Sequence, residues 1–120
     1  MRRSLAAVAA TLATLSFATA CGDEEKPPAD STDAKVIELT FADGTVTPNG
    51  DRVEVAVGQD IELDVTADEP GEIHVHSTPE QELEYAAGES TVTIKGIDQP
   101  GVVEVESHEL DQVIVQLEVR

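Results

Sequence analysis

Apolar and polar side chains alternate with a period of two through most of the chain after residue 35. The clearest examples are VEVAV at 53–57, IELDV at 61–65 and VEV at 103–105. Such alternation predicts strands that turn one face to a core and the other to water. No stretch of this region carries the i, i+3, i+4, i+7 spacing of an amphipathic helix at convincing length. The pattern therefore predicts an all-β domain.

Turn-forming residues divide this pattern into short runs. Gly, Pro, Asn and Asp occur in DG at 43–44, PNGD at 48–51, EPG at 69–71 and PG at 100–101, which are sequences typical of tight turns. Strands are predicted at residues 35–41, 52–57, 60–67, 71–77, 82–86, 90–95, 101–107 and 112–119. Seven or eight such strands predict an antiparallel β-sandwich with a core of Val, Ile and Leu, anchored by Phe41 and Tyr85.

The first twenty residues have the composition of an export signal peptide. Residues 1–3 are Met-Arg-Arg, residues 5–17 are mostly apolar or small, and ATA at 18–20 precedes Cys21. Two processing routes are open, ordinary cleavage after the ATA sequence and lipid modification of Cys21 at a sequence that resembles the bacterial lipobox. The second is favoured because an exported protein has little other use for a single cysteine. We therefore expect export and anchoring through Cys21 to the outer face of the bacterial cell membrane, in the cell envelope.

A polar segment separates Cys21 from the region of alternating residues. Residues 21–35 are rich in charge and proline, which predicts a disordered tether, and the domain is expected to span residues 36–120. After cleavage the chain would carry 25 acidic and five basic side chains, a net charge of −20. This charge argues against nucleic acid as a partner. Acidity of this kind is typical of a soluble surface and also attracts cations, and it does not distinguish the two roles.

Several segments follow the order and spacing of the cupredoxins. VEVAVGQDIELDV resembles an early strand-turn-strand unit, AAGESTVTI a later glycine-centred turn, QPGVVEVE the strand before the ligand loop, and VQLEVR the closing strand. Over residues 36–120 the chain resembles the small cupredoxin-like lipoproteins of bacteria. The resemblance implies a Greek-key β-sandwich. It also implies that EIHVHS, at 72–77, lies where these proteins place their first histidine ligand.

The residues needed for a blue-copper centre are missing. Such a centre requires a cysteine thiolate, two histidines and usually a weak methionine ligand. By the resemblance, Ser107 stands at the cysteine position, and the closing segment contains no methionine. The only cysteine and methionine are Cys21 and Met1, both in the export segment. The inventory therefore excludes a blue-copper centre.

Three histidines, His74, His76 and His108, remain as candidate metal ligands. Residues i and i+2 of a strand point the same way about 6.5 Å apart, and by the resemblance His108 follows a strand that ends beside the first two. Three imidazoles at one place suit copper, with zinc as the second choice. Three carboxylates could orient the rings or add a ligand: Glu72, Glu106 and Glu109.

The alternation also supports a simpler interpretation. His74 and His76 share a face with Glu72, and His108 is in register with Glu104 and Glu106, so all of these side chains are expected to face solvent. Two functions therefore remain open. One is an extracytoplasmic copper-binding carrier, sensor or storage module, and the other is a metal-free β-sandwich that serves as an interaction or envelope module. Neither is an enzyme.

Overall fold

The computed structural model describes residues 33–120, which form nine strands. The signal peptide predicted at 1–20, the predicted lipidation site at Cys21 and most of the predicted tether lie outside the described residues. Among residues 33–120 no helix is long and apolar enough to cross a membrane. The strands are β1 (Lys35–Ala42), β2 (Thr45–Thr47), β3 (Asp51–Val55), β4 (Ile61–Ala67), β5 (Gly71–Val75), β6 (Gln81–Tyr85), β7 (Gly88–Ile94), β8 (Gly101–Ser107) and β9 (Gln112–Val119).

The strands form two sheets that pack face to face. One sheet has the order β2-β1-β4-β7 and the other the order β3-β9-β8-β5-β6. The inward residues are the aliphatic members of each alternating run, as in β4, where Ile61, Leu63 and Val65 are almost completely buried. The two aromatic residues of the described range 33–120, Phe41 and Tyr85, are also buried. Their rings stack with centroids 4.6 Å apart and join β1 of one sheet to β6 of the other. The predicted all-β sandwich and its aliphatic core are confirmed.

Two strand pairs depart from the expected antiparallel arrangement. β1 pairs with β4 in parallel, and β3 pairs with β9 in parallel, whereas the other pairs of residues 33–120 are antiparallel. The chain leaves the first sheet after β2, adds β3 to the second sheet and returns with β4, so the paired strands β1 and β4 are not consecutive in sequence. Both sheets are therefore mixed. Side-chain alternation reports which face is buried but carries no information on strand direction.

β2 is a strand that the alternation did not predict. It contains only three residues and buries one side chain, Val46, between two turns. Its position is secured from across the sandwich by Gln112, at the start of β9. The Gln112 side-chain oxygen accepts from the Val46 backbone N–H at 3.1 Å and from the Asn49 amide at 3.0 Å, while its amide donates to the carbonyl of Gly44 at 3.0 Å. Gln112 thus joins the β1–β2 hairpin to β9.

The strands β5, β8 and β9 lie side by side and set the position of all three histidines. His74 is paired with Glu106 of β8, and the His76 backbone N–H donates to the carbonyl of Glu104 at 2.9 Å. β8 continues through the turn at residues 108–111 into β9, and a bulge interrupts their pairing between Val105 and Glu106. Because β5 and β8 are antiparallel neighbours, the start of the turn after β8 lies close to the histidines of β5.

Candidate metal centre

All three histidines lie on the outer face of the five-stranded sheet. On β5 and just beyond it, Ile73, Val75 and Ser77 are buried, so His74 and His76 point outward. Val105 and Ser107 are buried in the same way, which turns Glu106 and His108 outward. The solvent-facing register expected from alternation is therefore present. Convergence of the histidines is present as well, because the two outward sets belong to adjacent strands.

His76 and His108 meet at one carboxylate oxygen. The Nε2 atom of His76 lies 3.0 Å from Oε2 of Glu106, and Nε2 of His108 lies 3.3 Å from the same oxygen. One ligand atom from each of these residues lies within 4.8 Å of the others. We call His76, Glu106 and His108 the Glu106 group. Four-coordinate ions with bonds of about 2.0–2.1 Å hold their donor atoms about 3.3 Å apart, so two of the contacts already have a suitable length.

The second nitrogen of His76 faces another carboxylate. Nδ1 of His76 lies 3.5 Å from Oε1 of Glu80. Metal-binding histidines commonly donate the N–H of one ring nitrogen to a carboxylate, which leaves the other nitrogen unprotonated for the ion. With its Nδ1 proton held by Glu80, His76 can present Nε2 as a donor atom on the side of Glu106.

The close contact between His76 and Glu106 changes the proton affinity of both groups. The hydrogen bond with Glu106 raises the pKa of His76 above its usual range, with a further contribution from Glu80. The same bond lowers the pKa of Glu106, and His108 adds to this effect. Each group favours the charged form of the other, as expected for an imidazolium and a carboxylate in contact. Because the pKa of His76 is raised, an ion that took its Nε2 atom would compete there with a proton.

His74 has different partners. Its Nε2 atom makes a short contact with Oε1 of Glu72, and its Nδ1 lies 3.9 Å from Oε1 of Glu82 on β6. These three residues form a second group whose ligand atoms lie within 4.8 Å of one another, which we call the His74 group. The His74 ring stacks on that of His108, with centroids 3.9 Å apart and an angle of 18° between the planes. The rings of His76 and His108 are 5.7 Å apart.

The structure thus brings the three predicted histidines together but assigns their donor atoms to two groups. His76 and His108 share Glu106, whereas His74 is separate. Of the three carboxylates named from the sequence, Glu106 and Glu72 contact histidines. Glu109 does not belong to either group and lies beside Tyr85, where its charge adds to the burial that raises the pKa of Tyr85.

Two carboxylates beside the histidines, Glu80 and Glu82, were not predicted from the sequence as partners of the imidazoles. The signal that could have found them is the short turn between β5 and β6. It makes the two strands an antiparallel hairpin in which His74 is paired with Glu82. A hairpin register of this kind places period-two carboxylates on one strand directly beside period-two histidines on the other.

Ser107 lies on the opposite side of the sheet from the imidazoles. It is completely buried, and its hydroxyl accepts from the backbone N–H of Leu110 at 3.4 Å. The residue that the resemblance aligns with the cysteine ligand therefore faces the interior of the sandwich. The histidines and their carboxylates form a separate, outward-facing arrangement of nitrogen and oxygen donors.

Comparison with known proteins identifies the fold. No protein-family model matches the chain, and no curated protein is detectably similar in sequence. Among solved structures, the blue copper oxidase from Nitrosomonas europaea is similar with a TM-score of 0.55 at 16% identity, over 80% of this chain and 47% of the oxidase. The chain thus spans about half the length of that oxidase. A reduced amicyanin mutant is similar with a TM-score of 0.50 at 11% identity, over 78% of this chain and 87% of amicyanin. The described part of the chain has a cupredoxin-like fold.

Proposed function

We propose that this domain binds a divalent transition-metal ion, copper(II) first and zinc second, on the outer face of its five-stranded sheet. The ligands are His76, Glu106 and His108. The observation that carries the proposal is the convergence of two histidine Nε2 atoms, at 3.0 and 3.3 Å, on one oxygen of Glu106. His76 follows β5 and lies 30 positions before Glu106 of β8, so the convergence is not a consequence of local sequence.

The donor set favours copper(II) over copper(I). Two imidazole nitrogens and a carboxylate oxygen suit copper(II) and zinc, whereas copper(I) prefers thiolate and thioether sulfur. The sulfur-bearing residues of the chain, Met1 and Cys21, lie outside the proposed domain. Copper is placed before zinc because it binds nitrogen and oxygen donors more tightly, and because the fold is shared with a blue copper oxidase and amicyanin.

Exposure of the ligands suits exchange of the ion with a partner. The side chains of His76 and His108 retain 37% and 51% of their accessible surface, and that of Glu106 retains 25%. Three ligands on an open face leave coordination positions free for water or for a donor from another molecule. We therefore infer a carrier, sensor or storage role rather than an electron-transfer or catalytic one. In this proposal the chain is exported and held by a lipid on Cys21 at the outer face of the bacterial membrane.

Calorimetric titration of the full chain in mild detergent with copper(II) and with zinc tests this proposal. We expect binding tighter than micromolar for copper, with loss of at least tenfold in affinity for His76→Ala and for His108→Ala, because each removes one ligand. Glu106→Gln should also lose the ion, because Glu106 is the third ligand. Its matched control is Glu104→Gln, since Glu104 also faces outward from β8 but belongs to neither histidine group. Copper binding weaker than micromolar, or binding by both histidine variants that is unchanged from wild type, would favour the metal-free interaction or envelope module.

A further inference from the structure

His74 of β5 and His76, just beyond the end of β5, have the same arrangement of carboxylates around their rings. In each ring the Nε2 atom contacts one glutamate and the Nδ1 atom faces a second glutamate. For His76 these are Glu106 at 3.0 Å and Glu80 at 3.5 Å. The arrangement of His74 is the same in outline, with one glutamate in short contact with Nε2 and another 3.9 Å from Nδ1. The pattern is thus repeated two residues along the strand.

We propose that the His74 group, formed by Glu72, His74 and Glu82, holds a second divalent ion beside the first. In this site His74 Nε2 and Glu72 supply the donor atoms, and Glu82, now 3.9 Å from Nδ1, would move closer to accept the Nδ1 proton, in the position that Glu80 has beside His76. The inference rests on the proposed function in one respect, which is that this face of the sheet takes transition-metal ions. Its ligands, however, are different from those of the first ion.

The local environment of His74 suits a ligand. Its side chain is only 19% exposed, less than that of either other histidine, because the His108 ring lies over it. Glu72 is one-third exposed and Glu82 nearly two-thirds exposed, so one face of the group is open to an incoming ion. The ligand atoms lie within 4.8 Å of one another, and an exposed glutamate can close the remaining distance by changing rotamer.

The charge of the surrounding face permits two ions. Six glutamates point outward from this part of β5, β6 and β8 and the turn between the first two: Glu72, Glu80, Glu82, Glu84, Glu104 and Glu106. With neutral histidines they carry a charge of −6, so two divalent ions still leave the face negative. The separate glutamates around the two rings therefore offset the repulsion that a second cation meets.

Geometry limits the distance between the two ions. The rings of His74 and His108 are 3.9 Å apart. Since a metal–nitrogen bond is about 2 Å and a ring nitrogen lies about 1 Å from its centroid, the ions would be within about 10 Å of each other. At that distance two divalent charges in water repel enough to weaken the second ion by about tenfold to thirtyfold. We therefore expect sequential binding, with the His74 group filled second.

The test is a stoichiometric copper(II) titration of the full chain by native mass spectrometry, combined with electron paramagnetic resonance. Wild type should bind two ions in two separable steps. The doubly loaded form should show the half-field signal and line broadening of two copper(II) ions within about 10 Å, the limit set by the bond lengths. Glu72→Gln should remove the second step and the half-field signal while the first ion still binds. Glu82→Ala should weaken the second step by a smaller factor.

Glu84→Gln is the matched control, because Glu84 is paired with Glu72 on the same face, undergoes the same charge change and belongs to neither group. Binding of one ion per chain, unaffected by Glu72→Gln and lost in Glu106→Gln, would overturn the second site and leave the proposed function in place. A single ion lost equally in both variants would show one shared site and also overturn the inference. Failure to bind any ion would remove both proposals together.

Discussion

Replacement of Gln112 by alanine should destabilise the domain although the side chain lies at its surface. The substitution removes the three hydrogen bonds that join β9 to the β1–β2 hairpin, of which the one from the Val46 N–H is partly buried. A hydrogen bond contributes about 0.5–1.5 kcal/mol net, with exposed bonds at the low end, and an unpaired buried donor costs about 1–3 kcal/mol. The expected loss in free energy of unfolding is therefore about 2 kcal/mol. In a domain of this size that corresponds to a fall in Tm of about 8–16 °C.

Denaturant and thermal unfolding of the metal-free protein, followed by circular dichroism, measure this change. Gln116→Ala is the matched control on the same strand. Its amide makes one exposed contact, 3.4 Å from Oε1 of Glu104, so its removal should cost less than about 0.5 kcal/mol. If Gln112→Ala and Gln116→Ala lost the same free energy, β2 would be held by its backbone pairing with β1 and by the packing of Val46, without a contribution from the Gln112 side chain. The role assigned to the Gln112 side chain would then be wrong.

Two further predictions concern proton binding and close packing. The contact with Glu106 raises the pKa of His76, so the stabilisation from this histidine is complete below pH 6.5 and is lost as pH rises through the pKa of His76 in the folded protein. The same contact lowers the pKa of Glu106, so the stabilisation from this carboxylate is complete above pH 4.5 and is lost as pH falls through its folded-state pKa. The free energy of unfolding of metal-free wild type should therefore exceed that of Glu106→Gln most between pH 4.5 and 6.5. Unfolding at a series of pH values measures this difference, and a difference that does not change with pH would contradict the prediction. Gly96→Ala should lower the free energy of unfolding in urea by about 1–3 kcal/mol, because the added methyl group would collide with the backbone carbonyl of Gly58. If this variant were as stable as wild type, the backbone around Gly96 and Gly58 would be able to move apart without cost.

The strands of this domain could be predicted because their aliphatic residues alternate without interruption. In β4, each of Ile61, Leu63 and Val65 is followed by a polar residue, and the structure buries all three. β2 was not predicted, because Val46 is its only buried side chain and a single apolar residue shows no alternation. The parallel pairing of β1 with β4 and of β3 with β9 was not predicted either, since it depends on the order in which the chain passes between the two sheets.

The candidate site was predictable in part for a similar reason. The outward direction of His74, His76 and His108 follows from alternation, and their convergence was expected only from the resemblance to a known fold. The division of their donor atoms between Glu106 and Glu72 depends on rotamers and on cross-strand register, which no local pattern encodes. Sequence reasoning therefore placed the three histidines on the outer face of the sheet but did not resolve the two groups into which their donor atoms divide.

The orientation of Ser107 restricts how this domain could be converted into an electron-transfer protein. A thiol introduced by Ser107→Cys would point into the interlayer space, while the imidazoles project from the far surface with the peptide backbone between them. No side-chain rotamer at position 107 could bring a thiol and the imidazoles to the same metal ion. Conversion to a thiolate–imidazole centre would require moving the histidines to inward positions as well, so the proposed outward site and a blue-copper site would be alternative uses of the same scaffold.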